Sequence, residues 1–179
     1  LPARFVANAL GYDVEWDPEL NLVVCWPKGE LKPDVEAVKQ LLREVKSGEK
    51  ILWNGYVLPG PDPKWKWSEK EWLTYTGLDV EYTTDPAENL AELCLYMDAY
   101  NSWSGAPKQY EEARMLISSK WGQEIADRAI EYAKQKTTWN IQLEPRYFDL
   151  PGGGKLEVAG IKTDGVVILV WKPGQIKGV

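Results

Sequence analysis

Paired carboxylates are the residues of this sequence that come closest to a catalytic arrangement. Glu69 and Glu71 lie two positions apart, Glu111 and Glu112 are adjacent, and Asp98 stands between the two pairs. Glycoside hydrolases use two such groups at a set separation across a cleft. However, the four glutamates fall in the first turns of predicted helices, where acidic side chains favour the helix dipole without any catalytic role. We therefore predict no catalytic residue and no enzymatic activity.

Aromatic side chains are the unusual positive feature. The chain has ten tryptophans and nine tyrosines but only two phenylalanines. Both residue types carry a polar tip on an apolar body, so they suit half-exposed binding faces as well as cores. Exposed rings can stack on the apolar faces of sugars, and loop positions favour exposure. The candidate rings of such a glycan platform are Trp65, Trp67, Tyr100 and Trp103, and core packing is the alternative use of these rings.

The lack of histidine and the small number of cysteines limit the metal sites and nucleophilic catalytic sites that the chain can form. Histidine is absent from all 179 residues, which excludes Ser-His-Asp and Cys-His catalysis and His-ligated zinc or copper. Cys25 and Cys94 are too few for a tetrathiolate site, and the sequence leaves open whether they pair. The alternating acids of segment 13–19 could hold calcium, but they match no EF-hand loop. We predict no metal and no cofactor.

The charge and hydropathy of the chain limit the classes of molecule that it can bind. The formal net charge of −6 and a pI near 4.9 argue against nucleic acid, whose binding proteins present a basic face. No apolar run is long enough to span a bilayer. The chain shows no signal peptide and begins with Leu1 rather than Met, so we expect a segment processed or excised from something longer. A missing signal is then no argument for a cytoplasmic location.

Periodicity and capping signals predict several helices. Ser68 and Glu71 form a capping box, with Trp67 and Trp72 placed as a hydrophobic staple. Asp85 and the following proline also form a good helix start. The predicted helices cover 2–10, 34–47, 68–76, 85–100 and 107–136, the last kinked or split at Gly122.

Turn signals and alternation predict an antiparallel sheet at the same time. Asn54-Gly55 and Asp164-Gly165 are hairpin turns between apolar runs. The segment 166–171 is apolar on both faces, so we expect it near the centre of the sheet. The predicted strands lie mainly in 51–58, 78–84, 139–148, 156–162 and 166–171.

The opening segment carries a resemblance to a known family. Residues 1–26 read LPARFVANALGYDVEWDPELNLVVCW, a short helix followed by a hairpin that turns at Asp17-Pro18. This segment resembles the second half of the copper amine oxidase N-terminal-like domain, which usually reads V-P-x-R-F-x-A-E-x-L-G-x-x-V-x-W-D. The resemblance covers about the first seventh of the chain, and the strands that precede this half in the family are absent. It implies a stalk or adhesion element of secreted and cell-surface bacterial proteins, without copper chemistry.

These observations lead to one fold and three functional alternatives. We predict an α+β protein in which a helix–hairpin fragment (1–26) precedes a domain (30–179) with three or four helices packed on an antiparallel sheet. The first alternative is a non-catalytic extracellular or cell-surface module of a bacterial protein, with a structural, adhesive or wall-associated role. The second is a glycan-binding module using exposed Trp and Tyr, and the third is a cell-wall glycan-active enzyme with paired carboxylates. The expected partners are cell-wall polysaccharide or another surface protein, and not nucleic acid.

Overall fold

The computed structural model describes residues 3–64, 66–83, 91–97, 106–138 and 140–175. Helices and antiparallel strands both contribute substantially to these residues, which confirms the predicted α+β class. The chain forms two compact units, Leu1–Lys50 and Ile51–Val179. Each unit has its own elements.

The N-terminal unit begins with the predicted helix and hairpin. Helix α1 (Ala3–Ala9) leads into strands β1 (Tyr12–Asp17) and β2 (Leu22–Pro27), which pair antiparallel, and helix α2 (Glu36–Ser47) follows. The Asp17 carboxylate accepts hydrogen bonds from the backbone N–H groups of Glu19 and Leu20, both at 3.1 Å, and so closes the turn. The helix and hairpin predicted for 1–26 are therefore confirmed in the described residues.

Lysines of this unit pair with the alternating acids of the hairpin. Lys32 lies 2.7 Å from Glu15, and Lys39 lies 3.1 Å from Asp17. Each lysine lowers the pKa of its carboxylate partner. The acids of segment 13–19 thus help to hold the chain around α2 against the hairpin, which is a structural role.

The N-terminal unit buries little apolar surface. Val24 is its buried apolar side chain, whereas Leu10 and Trp16 are 71% and 56% exposed. Cys25 lies exposed on β2, and Cys94 in the other unit is half-buried. Each is a free thiol in this structure.

A six-stranded antiparallel sheet forms the centre of the C-terminal unit, in the order β5-β6-β7-β10-β9-β8. A separate hairpin of β3 and β4 precedes it in the chain. Strand β10 lies between β7 and β9, which confirms the central position predicted for 166–171. The strand bounds are β3 (Lys50–Trp53), β4 (Tyr56–Pro59), β5 (Glu71–Leu73), β6 (Leu78–Tyr82), β7 (Ala91–Met97), β8 (Leu143–Asp149), β9 (Lys155–Gly160) and β10 (Val166–Trp171).

Helices α3 (Ala106–Trp121) and α4 (Gln123–Ala133) cover one face of this sheet. They are separated at Gly122, whose φ of 86° ends the helical conformation, as predicted. The core consists of alternate strand residues and the apolar stripes of both helices. Its fully buried members include Leu58, Leu78, Val80, Leu93, Leu95, Ala113, Ile117, Ala129, Leu156, Val158, Val166 and Ile168.

The helix predicted over 68–76 is wrong. The segment forms a turn followed by β5, in which Trp72 is fully buried and its indole N–H donates to the Pro59 carbonyl at 3.1 Å. The Ser68 hydroxyl accepts from the backbone N–H of Lys70, so the capping residue closes a tight turn instead. Burial of Trp72 on the sheet outweighs a local capping pattern.

The helix predicted over 85–100 is also wrong where the structure describes that segment. Residues 91–97 form β7, with Leu93, Leu95 and Met97 in the core. The remainder of the predicted helix, 85–90 and 98–100, lies outside the described residues. Ladder pairing with β6 on one side and β10 on the other replaces the helical hydrogen bonds.

Candidate functional site

The candidate site is the face of the six-stranded sheet opposite the core, which we call the outer face. Side chains alternate between the two faces of a strand, so the neighbours of core residues point to this side. On β6, for example, Leu78 and Val80 belong to the core, and Asp79 and Glu81 therefore lie on the outer face. Most of the side chains on this face are half-buried.

Strand register places one continuous row of side chains across this face. Glu71 is opposite Glu81, and Glu81 is opposite Cys94. An isolated bridge joins Lys66 to Trp72, and the Trp67 N–H donates to the Glu71 carbonyl, so Trp67 continues the row beyond β5. The first row is Trp67, Glu71, Glu81, Cys94, Leu169, Glu157 and Tyr147. At roughly 4.8 Å between neighbouring strands, it spans about 29 Å.

A second row runs beside the first and is displaced from it by two residues on each strand, in alternating chain directions because the strands are antiparallel. It places Tyr96 between Asp79 and Val167. The Tyr96 hydroxyl bonds to the Asp164 carboxylate and accepts from the Gly165 N–H at 3.2 Å, so its ring is held at the end of the strand. The second row is Leu73, Asp79, Tyr96, Val167 and Ala159.

Hydrogen bonds orient the aromatic side chains at the other end of the face. The indole N–H of Trp171 donates to the Glu157 carboxylate at 2.7 Å. Burial and the neighbouring Glu157 raise the pKa of Tyr147, which keeps its hydroxyl protonated. Glu157 is only 9% exposed, so this carboxylate is held between Trp171 and Tyr147 as a fixed hydrogen-bonding group.

Three carboxylates crowd the β5–β6 end of the outer face. Burial, and then the charges of Glu71 and Glu81, raise the pKa of Asp79 to about 6. One Asp79 oxygen is buried without a hydrogen-bond partner among the described residues. Burial and the same three acids raise the pKa of Cys94 to about 12, so its thiol stays protonated and is a poor nucleophile.

We expect Asp79→Asn to stabilise the protein by about 1 kcal/mol at pH 8. The folded pKa of Asp79 lies above the ordinary value of 3.8, so ionisation destabilises the fold as the pH rises from about 4 through 6. A pKa raised from 3.8 to about 6 corresponds to a destabilisation of about 3 kcal/mol. We expect a smaller effect because the side chain is only half-buried and solvent screens its charge. Urea unfolding at pH 8 and pH 4 measures the difference.

The pH dependence supplies the control for this prediction. At pH 4 the wild-type Asp79 is protonated and resembles asparagine, so the gain should vanish. Glu69→Gln is a matched substitution at an exposed carboxylate, 87% exposed and paired with Lys66, and should change stability by less than about 0.5 kcal/mol. A gain for Asp79→Asn of equal size at both pH values would contradict the prediction.

Of the four candidate platform rings, Trp67 lies in the described part of the chain. Its side chain is 54% exposed, at the β5 end of the first row. Trp65, Tyr100 and Trp103 lie outside the described residues. Among the other rings, Trp53, Tyr56 and Tyr82 stack beside the core, with Trp53 and Tyr82 centroids 4.3 Å apart, so packing is the role of that group.

The structure does not assemble the carboxylate pairs that the sequence offered. Glu111 pairs with Arg114 on α3, and Glu112 accepts from the hydroxyls of Thr74 and Thr76. Both glutamates thus have structural partners on the helical side of the sheet, and Asp98 lies outside the described residues. Glu71 does reach the outer face, but its neighbours there are Asp79 and Glu81.

Sequence reasoning missed most of the outer face. Alternation in 78–84 placed Asp79 and Glu81 on one side of a strand, which was the available signal. Glu157 and Tyr147 come from strands far along the chain, and only pairing brings them into the first row.

The described residues include neither a membrane-spanning helix nor a cluster of metal-ligating side chains. They contain no helix with the length and apolar character needed to cross a membrane. Within the same residues, no group of three or more Cys, Asp or Glu side chains is arranged to hold a metal ion. Comparisons with protein-family models, curated proteins and solved structures found no match.

Proposed function

We propose that the protein is a non-catalytic glycan-binding module of a bacterial surface protein, and that its outer sheet face binds an extended polysaccharide. The observation that carries this proposal is the pair of rows that combine aromatic rings with carboxylates across the sheet. The surface location rests on the resemblance of residues 1–26 to the copper amine oxidase N-terminal-like domain.

The chemistry of the rows suits sugars. The rings of Trp67, Tyr96 and Tyr147 offer apolar surface with a polar edge, which is the character needed to stack on a pyranose ring. The carboxylates of Glu71, Asp79 and Glu81 can accept hydrogen bonds from sugar hydroxyls, and such charge-assisted bonds are short and strong. Rings and acceptors lie on the same face, so both kinds of contact are available to one ligand.

The dimensions favour a polymer over a single sugar. The first row runs for about 29 Å across the sheet, from Trp67 to Tyr147. A face of this length lets a chain lie across successive strands, whereas a monosaccharide is bound better in a pocket that encloses it. We therefore expect affinity to rise with the number of sugar units.

The charge of the face selects among polymers. The two rows hold four carboxylates, on Glu71, Asp79, Glu81 and Glu157, and neither contains a lysine or arginine. Polymers rich in carboxylate or phosphate would be repelled, and the repulsion would weaken at high salt. Neutral polysaccharides and peptidoglycan glycan strands are the expected ligands.

Trp67→Ala is the variant that tests this function. We expect it to weaken binding of a neutral polysaccharide about tenfold, because an exposed ring lost from a stacking contact costs about 1.4 kcal/mol. Intrinsic tryptophan fluorescence and calorimetric titrations against solubilised peptidoglycan fragments and neutral polysaccharides measure the affinity. Tyr147→Ala tests the opposite end of the first row in the same way.

Tyr75→Ala is the matched control. Tyr75 is 76% exposed in the turn between β5 and β6 and belongs to neither row, so its loss should leave the affinity unchanged. Binding that falls equally in Tyr75→Ala and Trp67→Ala would mean that exposed rings act nonspecifically. If the folded protein bound none of these polymers, the proposal would be overturned.

A further inference from the structure

A cavity of about 320 Å³ lies on the helical side of the C-terminal unit, where the start of α3 meets the chain that leaves α4. This is the side opposite the outer face, so the cavity is independent of the proposed glycan site. Its volume is within the range of small-molecule sites. The lining residues are Ala106, Pro107, Tyr110, Lys134, Lys136 and Thr137.

The inner wall of the cavity is apolar. Ala106 and Tyr110 are 8% and 9% exposed, and Pro107 has no backbone N–H to offer. The Tyr110 hydroxyl donates to the Ala133 carbonyl at 3.4 Å, so the hydrogen-bonding capacity of the ring is directed away from a ligand. A wall of this kind favours the apolar body of a small molecule.

The rim of the cavity is basic, although the chain as a whole is acidic. Lys136 is 2% exposed, and its ammonium donates to the backbone carbonyls of Ile141 and Ile161. Burial lowers the pKa of Lys136, and the charge of Asp164 opposes that shift. A cation fixed in this way favours an anion nearby, because interactions are less screened inside a protein than in water.

Lys134 is the ammonium that a ligand could reach. Its present partner is the Glu131 carboxylate at 2.9 Å, one helical turn earlier, and both side chains are largely exposed. Exposed pairs of this kind are worth little, so the ammonium can turn toward an anion in the cavity at small cost. The Thr137 hydroxyl lies on the same rim and can donate a hydrogen bond.

We propose that this cavity binds a small monocarboxylic acid with an aromatic or branched aliphatic body. The body lies against Tyr110 and Pro107, and the carboxylate lies beside Lys134 and Thr137. The size of the cavity limits the ligand to about the dimensions of a substituted benzoate, and a glycan chain does not match its apolar wall.

A pair of probes separates the charge from the apolar body. Benzoate and benzyl alcohol have the same ring, and only benzoate carries a carboxylate. In a titration of ¹⁵N-labelled protein, we expect benzoate to shift the amide signals of Tyr110 and Thr137 saturably. Benzyl alcohol should bind at the same place about fivefold more weakly, which is the effect of one exposed charge contact. Added salt should reduce this difference.

Lys134→Met removes the ammonium of the rim and keeps an unbranched apolar side chain, which is shorter by one atom. It should weaken benzoate about fivefold and leave benzyl alcohol unchanged. Lys162→Met is the matched control, because Lys162 is an exposed lysine of the β9–β10 turn outside the cavity. Thr137→Leu fills the rim and should weaken both probes.

Three results would overturn the proposal. The first is the absence of a saturable shift at these amides with benzoate. The second is equal affinity for the two probes, which would assign an apolar cavity without preference for an acid. The third is an unchanged affinity for benzoate in Lys134→Met. An unperturbed amide spectrum outside the cavity shows that each variant is folded, and the polysaccharide titrations are unaffected by any of these outcomes.

Discussion

Replacing Lys120 by methionine is expected to lower the free energy of unfolding of the C-terminal unit by about 3 kcal/mol. The Lys120 ammonium contacts the Glu92 carboxylate, and the two side chains are only 17% and 10% exposed. Methionine replaces the apolar stem of lysine but lacks the ammonium, so Glu92 loses its cation. A buried charge whose partner is removed keeps its full desolvation penalty, which is the main cause of the expected loss.

Aromatic rings add to this effect. The Lys120 ammonium lies 4.3 Å from the centroid of Tyr56 and 4.8 Å from that of Trp121. The Trp121 indole N–H donates to the Tyr56 hydroxyl at 2.9 Å, so both rings are fixed around the cation. Cation–π contacts of desolvated cations contribute about 1–2 kcal/mol, and methionine cannot replace them.

A double-mutant cycle measures the coupling of the pair. Urea unfolding followed by circular dichroism gives the stability of Lys120→Met, Glu92→Gln and the double variant. We expect the double variant to lose at least 1 kcal/mol less than the sum of the single losses, because it leaves no unpaired charge. Lys134→Met, at an exposed ion pair, should lose less than about 0.5 kcal/mol. Strict additivity of the two single losses would contradict the prediction.

Gly165→Ala is expected to cost about 3 kcal/mol or to prevent folding. A methyl group at this position would overlap the Met97 carbonyl oxygen and approach the Tyr96 ring to 3.0 Å. The obstacle is backbone of the neighbouring strand, which cannot turn away as a long side chain can. Gly165 also donates its N–H to Asp164 at 2.8 Å, so a shift of its backbone would break that bond. Overpacking against fixed structure typically costs 1–3 kcal/mol or more.

Gly152→Ala separates this clash from conformational strain. Gly152 has a φ of 84° and a ψ of 6°, the left-handed helical conformation, and open space surrounds the position of the missing methyl group. Alanine there should cost only about 1 kcal/mol, the penalty of a positive φ. Thermal unfolding of the two variants gives the comparison. If Gly152→Ala were as damaging as Gly165→Ala, close packing at Gly165 would not be the cause.

Local signals predicted the parts of the fold that local chemistry determines. Asn54 and Gly55 both have positive φ, at 44° and 84°, and they form the two-residue turn between β3 and β4 that their types favour. Gly122 separates α3 from α4 for the same kind of reason. The segment 166–171 lacks a polar side, which requires burial on both faces and hence a central strand.

Local signals failed where distant pairing decides the conformation. The segment 91–97 contains Ala, Glu, Leu and Met, which are good helix formers. It is a strand because β6 and β10 hydrogen-bond to its two edges. These partners cannot be inferred from the residues of the segment alone. The irregular register beside Trp171 turns Glu92 toward Lys120, and a bulge of this kind has no sequence signature here.

The candidate site also combines residues that local signals indicate with residues that only strand pairing brings together. Trp67 is one of the four candidate rings named from the sequence, and its exposed side chain lies at the end of the first row, while its role in binding stays a prediction. Asp79 and Glu81 share a face because their strand alternates. The remaining members of the rows, such as Glu157 and Tyr147, become neighbours only through the strand order, which composition and periodicity do not contain.

The central position of β10 has a consequence for how the protein is made. Its partner β7 precedes it by on the order of 70 residues, so the middle of the sheet is a contact of long sequence separation. On a ribosome, β6 and β7 emerge first, and the backbone N–H and C=O groups along one edge of β7 stay unpaired until residues 166–171 leave the exit tunnel. Such an unpaired strand is prone to aggregate. The sheet is therefore expected to form late and slowly, and the pairing of β10 rather than helix formation sets the moment at which the core closes.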